Sequence, residues 1–236
     1  KEYRRQRQMC IRDSITSGSK TLLVVLDGMG GHADGALAAM TALDTIGAMF
    51  MQQPTMLLDP LGFIHLVLGR AHQAVMQLGI HRPTEAKPRA TVALCLVQQG
   101  MAYWAHIGDS RIYHMRDGQV LERTRDHSHM EVLLRQGRIT EAEIARHPMR
   151  NYVECCLGGE AEIPEMTLSN ARQLQAGDVL LLCTDGVWAK FRDDEIADFM
   201  SNPVSLQTAL NLLAEQAVAA ATPYSDNATA AVVRCD

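Results

Sequence analysis

The stretch LLVVLDGMGGH, residues 22–32, runs five apolar residues into Asp27 and then sets three glycines within four positions. An apolar run with no polar alternation reads as a strand covered on both faces, hence central in a packed sheet. A hairpin turn would lead straight into a second strand. Beyond Asp27-Gly28 the chain is instead irregular, then Ala/Met/Leu-rich over 35–50. The arrangement recurs: VLLLCTDG (179–186) ends a second apolar run at Asp185-Gly186, AHIGDSR (105–111) places Asp109 after a strand and a glycine, and SDNAT (225–229) sets Asp226 just before a last strand. Any one of these is an ordinary turn aspartate, because Asp is depleted in strands and common in turns. Four in the same relation to strand ends are not explained that way.

Working outward, strand-length apolar runs appear at 21–26, 91–97, 101–107, 111–115, 178–183 and 228–233, with a shorter candidate at 163–168. QQG between 97 and 101 and RDG after 115 predict two hairpins. Helical apolar stripes cover 35–50, 61–78, 193–200 and 204–221, and two short helices over 128–147 meet at GRIT, where Thr140 and Glu143 form a capping-box pattern. Strands in consecutive hairpins with helices in pairs between them predict an α+β fold with antiparallel sheets rather than a doubly wound parallel one.

The chain has 236 residues, 47% hydrophobic and 21% charged, which suits one large domain. A net charge of −5, with no basic tract beyond the first dozen residues, argues against nucleic acid as a partner. No apolar run reaches the roughly 20 residues of a membrane span. The six cysteines form no CxxC pair and several lie in strand-like runs, as expected of buried free thiols in a reducing cytoplasm; adjacency is the only feature that singles out Cys155-Cys156. The thirteen Met residues sit mostly at helical spacing, as core filler. The first fourteen residues, KEYRRQRQMCIRDS, stand apart. They are basic and aperiodic, and RQMCIRDS resembles translated adapter sequence; residues 1–14 are read as non-native or disordered, with the true N-terminus missing and a single domain over 15–236.

Carboxylates gathered at one edge of packed sheets must have their repulsion offset, and hard divalent cations such as Mg²⁺ or Mn²⁺ do this with oxygen ligands. Gly28 leaves its own carbonyl open to such an ion. The absence of HxxxH and CxxC spacing disfavours zinc. A pair of ions about 3.5–4 Å apart would lower the pKa of a bridging water and stabilise in-line attack at phosphorus.

The ordered set DGMGGHADG (27–35), IGDSRIY (107–113), RDHS (125–128), GRITEAEIARHPMRN (137–151), LGG (157–159), GDVLLLCTDGVW (177–188) and SDNAT (225–229) resembles the metal-dependent serine/threonine protein phosphatases of the 2C type, in their compact bacterial form. The likeness covers about residues 21–236. It implies a sandwich of two antiparallel sheets flanked by helical pairs, with Mg²⁺ or Mn²⁺ at one end. By resemblance Asp27 bridges two ions and Gly28 adds its carbonyl oxygen. Asp185 and Asp226 complete the first ion's shell, and Asp109 with Asp185 holds a weaker third ion. Asn227 orients a ligand, and residues about 128–160 form a flap beside the site. Thr91, in RAT, and His106, inside a strand, are structural; His127 shapes the flap. His32 is a candidate proton donor or, alternatively, a helix-start residue, because Met29 occupies the position where some members carry a histidine. The implied partner is a phosphorylated protein acted on by a cytoplasmic monomer, with a serine/threonine kinase as its opponent in signalling.

One motif departs. The family pattern places an arginine and then Asn-Glu-Asp just before residue 21, the arginine to grip phosphate. Here the stretch reads RDSITSGSK, with Asp13 near the expected position but Arg12 where Glu should be. Two functions are therefore expected as alternatives: hydrolysis of phosphoserine and phosphothreonine by metal-activated water, or a catalytically impaired module that binds phosphoproteins.

Overall fold

The computed structural model describes residues 10–29, 32–144, 146–202, 204–220 and 227–235. In chain order the elements are β1 (Cys10–Ser17), β2 (Lys20–Met29), α1 (His32–Met51), α2 (Pro60–Leu78), β3 (Arg89–Gln98), β4 (Met101–Ile107), β5 (Arg111–Arg116) and β6 (Gln119–Arg123). The order continues with α3 (His129–Arg135), α4 (Glu141–Ile144), β7 (Leu157–Gly158), β8 (Thr167–Leu168), β9 (Arg172–Gln173), β10 (Val179–Cys183), α5 (Asp185–Trp188), α6 (Asp193–Ser201), α7 (Leu206–Ala220) and β11 (Ala230–Arg234).

Two antiparallel sheets result. The larger has the order β1-β2-β3-β4-β8, with β7 on β3 and β9 on β4; the smaller is β11-β10-β5-β6. Period-2 alternation sorts each central strand between two cores. On β2, Leu23 and Val25 face the other sheet, where they meet Ala93, Cys95, Trp104, Ile112, Leu180 and Leu182. Leu22, Val24 and Leu26 face α1 and α2, against Ala38, Ile46, Phe50, Ile64 and Leu68. On β10, Leu181 and Cys183 turn to the other outer layer, against Ile196, Met200 and Leu213 of α6 and α7. The molecule is therefore four layers, helices–sheet–sheet–helices, as the hairpin and helix-pair pattern predicts. The two hairpins turn at Gln99-Gly100 and Asp117-Gly118, left-handed at both residues, which matches strand twist. Lys20, fully buried at the start of β2, donates from Nζ to the carbonyls of Pro54 (2.7 Å) and Gln53 (3.2 Å) and so ties down the end of α1.

Two differences from the sequence-based expectations stand out. Residues 10–14, expected to lie outside the domain, belong to β1, which pairs with β2 from Cys10↔Asp27 to Ser17↔Lys20, so ordered structure begins no later than Cys10. The candidate strand over 163–168 shrinks to Thr167–Leu168. Asp185-Gly186 opens the single turn of helix α5. The Thr140–Glu143 box is present, with the Glu143 carboxylate accepting from the Thr140 N–H at 2.8 Å.

Candidate metal centre

The carboxylate edge is built by register. Asp27 ends the buried part of β2 and pairs across to Thr91 of β3. Thr91 Oγ1 shares a buried 2.7 Å hydrogen bond with Ser110 Oγ, and this fixes the Gly108-Asp109-Ser110 turn under the strand end. Gly28 answers why a strand should run into so small a residue: α1 comes back so close that a β-carbon on Gly35 would lie 2.6 Å from the Gly28 carbonyl oxygen. The two glycines allow strand and helix backbones to touch, which turns the chain sharply just past Asp27.

Asp185 arrives from the other sheet. The Thr184 N–H donates to the Thr229 carbonyl (3.0 Å), and the Thr184 hydroxyl bonds the Asn227 carbonyl (3.3 Å). The start of α5 is thereby laced to the chain leading into β11, next to Asn227. Asp226 lies outside the described residues. So does the His32 side chain, although His32 itself opens α1. Asp185 Oδ1 is shielded from solvent.

Electrostatics show that these groups share one field. Burial raises Asp109 from the ordinary carboxylate range to about 7, and the charges of Asp126 and Asp27 push in the same direction. Cys183, raised to about 12 mainly by burial, also feels Asp126 and Asp185. Asp27 and Asp126 thus both act on Asp109, and Asp126 and Asp185 both act on Cys183; Asp126 lies in RDHS and carried no expected role. Asp126 is gripped by both Arg111 arms (2.7 and 2.8 Å), and the Arg111 guanidinium lies 3.3 Å from the Trp188 ring centroid. Trp188 in turn donates from Nε1 to the Asp109 carbonyl at 2.9 Å. Arginine and tryptophan stand fifteen or more positions from their partners, so no local spacing could have revealed this brace.

The two flanking histidines are structural, as expected. His106 is buried, held through Nε2 to the Arg125 carbonyl (2.7 Å), and pushed down to about 4 by burial and by His127. His127 stacks on it at 4.4 Å, accepts at Nδ1 from the Gly108 N–H, and bonds Thr167 through Nε2. Its carbonyl accepts from Glu154 N–H at 2.8 Å, Ser128 bridges to Val153, and the His127 N–H donates to the Gly108 carbonyl at 2.8 Å, so residues 153–154 close back on the start of the 128–160 segment beside the Asp109 turn. Cys95 and Cys183 are buried, and the thiols of Cys155 and Cys156 are both raised by burial, Cys156 to about 11, which keeps them protonated and inert.

Among the described residues no three acidic, imidazole or thiol groups close into a ligand set on their own. The donors nevertheless suit a hard cation. They are carboxylate oxygens, with Asp109 raised by burial and then by the charges of Asp126 and Asp27, and Arg111 is already committed to Asp126.

A sandwich of two antiparallel sheets between helical pairs, with acidic strand ends collected at one edge, is the architecture of metal-dependent protein phosphatases. The chain belongs to the protein phosphatase 2C family, whose model matches residues 2–221. It is 32% identical over 188 residues to a putative protein phosphatase 2C-type of Streptococcus pyogenes, covering 79% of this chain and 75% of that one. It is 31% identical over 220 residues to the serine/threonine protein phosphatase PstP of Mycobacterium tuberculosis, covering 93% of this chain but only 41% of PstP. The catalytic domain of a PstP in complex with two manganese ions superposes with a TM-score of 0.77 at 26% identity, covering 96% of this chain and 97% of that one.

Proposed function

We propose that this chain removes phosphate from phosphoserine and phosphothreonine in proteins, using two Mg²⁺ or Mn²⁺ ions. The observation that supports the reading is the approach of Asp27, at the end of β2, to the buried Asp109, whose carboxyl is raised to about 7 by burial and by the charges of Asp126 and Asp27, with Asp185 opening α5 at the end of β10. Bound ions would supply an activated water and charge neutralisation at phosphorus. Asp27, the Gly28 carbonyl, Asp185 and Asp226 would hold the first two, and Asp109 with Asp185 a third. Asn227 would orient Asp226. Arg111, locked between Asp126 and Trp188, would keep Asp109 aimed through the Trp188 hydrogen bond to its carbonyl. His32 opens α1 beside the site and is the candidate proton donor to the leaving serine or threonine oxygen. Residues about 128–160 would act as the flap that selects among substrate proteins. The chain would act as a monomer opposed by a serine/threonine kinase. Among the described residues no helix is long and apolar enough to cross a membrane.

The deciding assay is hydrolysis of p-nitrophenyl phosphate and of a phosphothreonine peptide with and without Mn²⁺. Mn²⁺-dependent turnover of both is expected. Peptide binding without turnover at any Mn²⁺ concentration, including in a chain given the Arg…Asn-Glu-Asp motif ahead of residue 21, would replace the hydrolase with a phosphoprotein-binding module.

A further inference from the structure

Resting on the phosphatase reading, the geometry points to Arg89 as a substrate-positioning residue whose guanidinium, with Lys87 beside it, takes an oxyanion of the bound phosphoprotein. Arg89 is the first residue of β3. It pairs with Met29 on one side and with Gly158 on the other. It stands two positions from Thr91, the partner of Asp27, so its Cα is roughly 7 Å along the strand from the Asp27 row. Residues two apart on a strand share a face. Arg89 and Thr91 therefore share theirs with Ala93 and Cys95, which face the space between the sheets.

The side chain is half-buried and incompletely used. Arg89 Nη2 donates to the Thr84 carbonyl at 2.9 Å, but Nε is buried with no hydrogen-bond acceptor. Among the described residues no carboxylate forms an ion pair with it; the neighbouring Glu85 and Glu160 are exposed to solvent. Arg111, by contrast, is fully engaged by Asp126. A half-buried guanidinium with a single hydrogen bond at Nη2 and no ion pair among the described residues has donors left for an oxyanion, which it meets in bidentate geometry.

The surrounding backbone is shaped around this side chain. Gly158 and Gly159 both take left-handed φ values, +77° and +79°. A β-carbon at Gly159 would lie 2.8 Å from Arg89 Nε, and one at Gly158 would lie 2.6 Å from Val75 Cγ1. Only this glycine pair lets the chain close over the guanidinium. Lys87 Nζ donates to the Gly159 carbonyl at 2.9 Å, which brings a second cation to the same corner. The LGG segment, which the metal centre does not use, is explained as the lid of this cationic corner. The oxyanion is either the phosphoryl group or a carboxylate flanking the phosphorylated residue.

The test compares wild type, Arg89→Gln, Arg89→Lys and Lys87→Gln in Mn²⁺-dependent kinetics on p-nitrophenyl phosphate and on phosphothreonine peptides with neutral or acidic flanks. Calorimetric titrations with inorganic phosphate and with Mn²⁺ accompany it. Arg89→Gln is expected to lower kcat/KM at least about 10-fold, chiefly through KM, with Mn²⁺ affinity unchanged and partial recovery in Arg89→Lys. Loss on every substrate with a matching loss of phosphate affinity assigns the phosphoryl group; loss confined to the acidic peptide assigns the flanking carboxylate. Values within 2-fold of wild type on all substrates, or a parallel loss of Mn²⁺ affinity, would overturn the proposal. If wild type shows no Mn²⁺-dependent turnover, the phosphatase reading fails instead. The phosphate titration of Arg89→Gln against wild type then still decides whether this corner binds an oxyanion.

Discussion

β10 has an aspartate just outside each end, and the two live in opposite worlds. Asp178, before the strand, is completely buried and answered by the protein itself. Arg116 reaches it with Nε and Nη2, His114 Nε2 lies at 2.9 Å, and the Gln175 N–H donates at 2.9 Å. The Arg116 hydrogen bonds hold its carboxyl well below the usual carboxylate range. Asp185, after the strand, belongs to a group in which carboxylates face carboxylates and Asp109 is driven up to about 7. One end is a closed ion network; the other gathers a buried carboxyl, Asp109, on which Asp126 and Asp27 act as like charges. On the proposed function the contrast separates an aspartate kept for stability from one kept for chemistry, although both flank the same five-residue strand.

The sharpest way to break the comparison is to neutralise each end in turn. Asp185→Asn keeps volume and removes charge. Turnover should fall by more than about 100-fold, while the melting temperature holds or rises because a repelling charge is gone. Unchanged turnover would place the catalytic ions elsewhere. Asp178→Asn should do the reverse. Leaving Arg116 and His114 against a neutral amide should cost about 3 kcal/mol in denaturant unfolding, with kcat of the folded protein retained. If Asp178→Asn proved harmless to stability, the closed network at that end would be ornamental.

A subtler difference appears with pH, because the two ends titrate in opposite senses. Asp109 has a folded pKa of about 7, above its ordinary 3.8, so between these values the metal-free native state binds more protons than the unfolded chain. Its contribution to stability is present at low pH and is lost as pH rises toward 7. Asp178, with a depressed pKa, contributes above the ordinary carboxylate range and loses that contribution as pH falls. Thermal melts of the metal-free protein should show the fall toward pH 7 vanish in Asp109→Asn and persist in Asp178→Asn. Mn²⁺ should abolish it in wild type, and at a hundred times its Kd should add about 2.7 kcal/mol of stability. A fall that survives both Mn²⁺ and Asp109→Asn would belong to some other group.

How much of this could be read from the sequence depends on where each interaction is encoded. β2, β3 and β10 were legible because strands covered on both faces need apolar residues at nearly every position. β1 was not, because RDSITS offers no such run; its strand character comes from eight register pairs with β2, a property of the neighbour rather than of the segment. The two-residue strands β7, β8 and β9 are set wholly by β3 and β4, and α5 by the packing of Thr184 against residues 227–229. At the site, Asp27, Asp109 and Asp185 were legible as repeated strand-end carboxylates. Their brace was not: Arg111 to Asp126, Trp188 to Asp109 and Thr91 to Ser110 join residues 15, 79 and 19 apart, and only the fold makes them neighbours.

That last contact gives the smallest effect and the finest discrimination. The geometry of the carboxylate edge rests in part on bonds beneath it, and Thr91 with Ser110 is a buried one, joining the strand partner of Asp27 to the residue after Asp109. Thr91→Val leaves the Ser110 hydroxyl buried without its partner, at a cost of about 1–2 kcal/mol, and Ser110→Ala does the same to Thr91. Removing both hydroxyls leaves no orphan, so the double variant should be clearly less destabilised than the sum of the two singles, a coupling that a double-mutant cycle measures. At the Asp178 end no neutral bond has this role, since the ion network fixes its own geometry. If the Thr91 and Ser110 losses are simply additive, the hydroxyl pair does not support the turn, and Asp109 owes its position to the Trp188 hydrogen bond and the His127 bonds at Gly108.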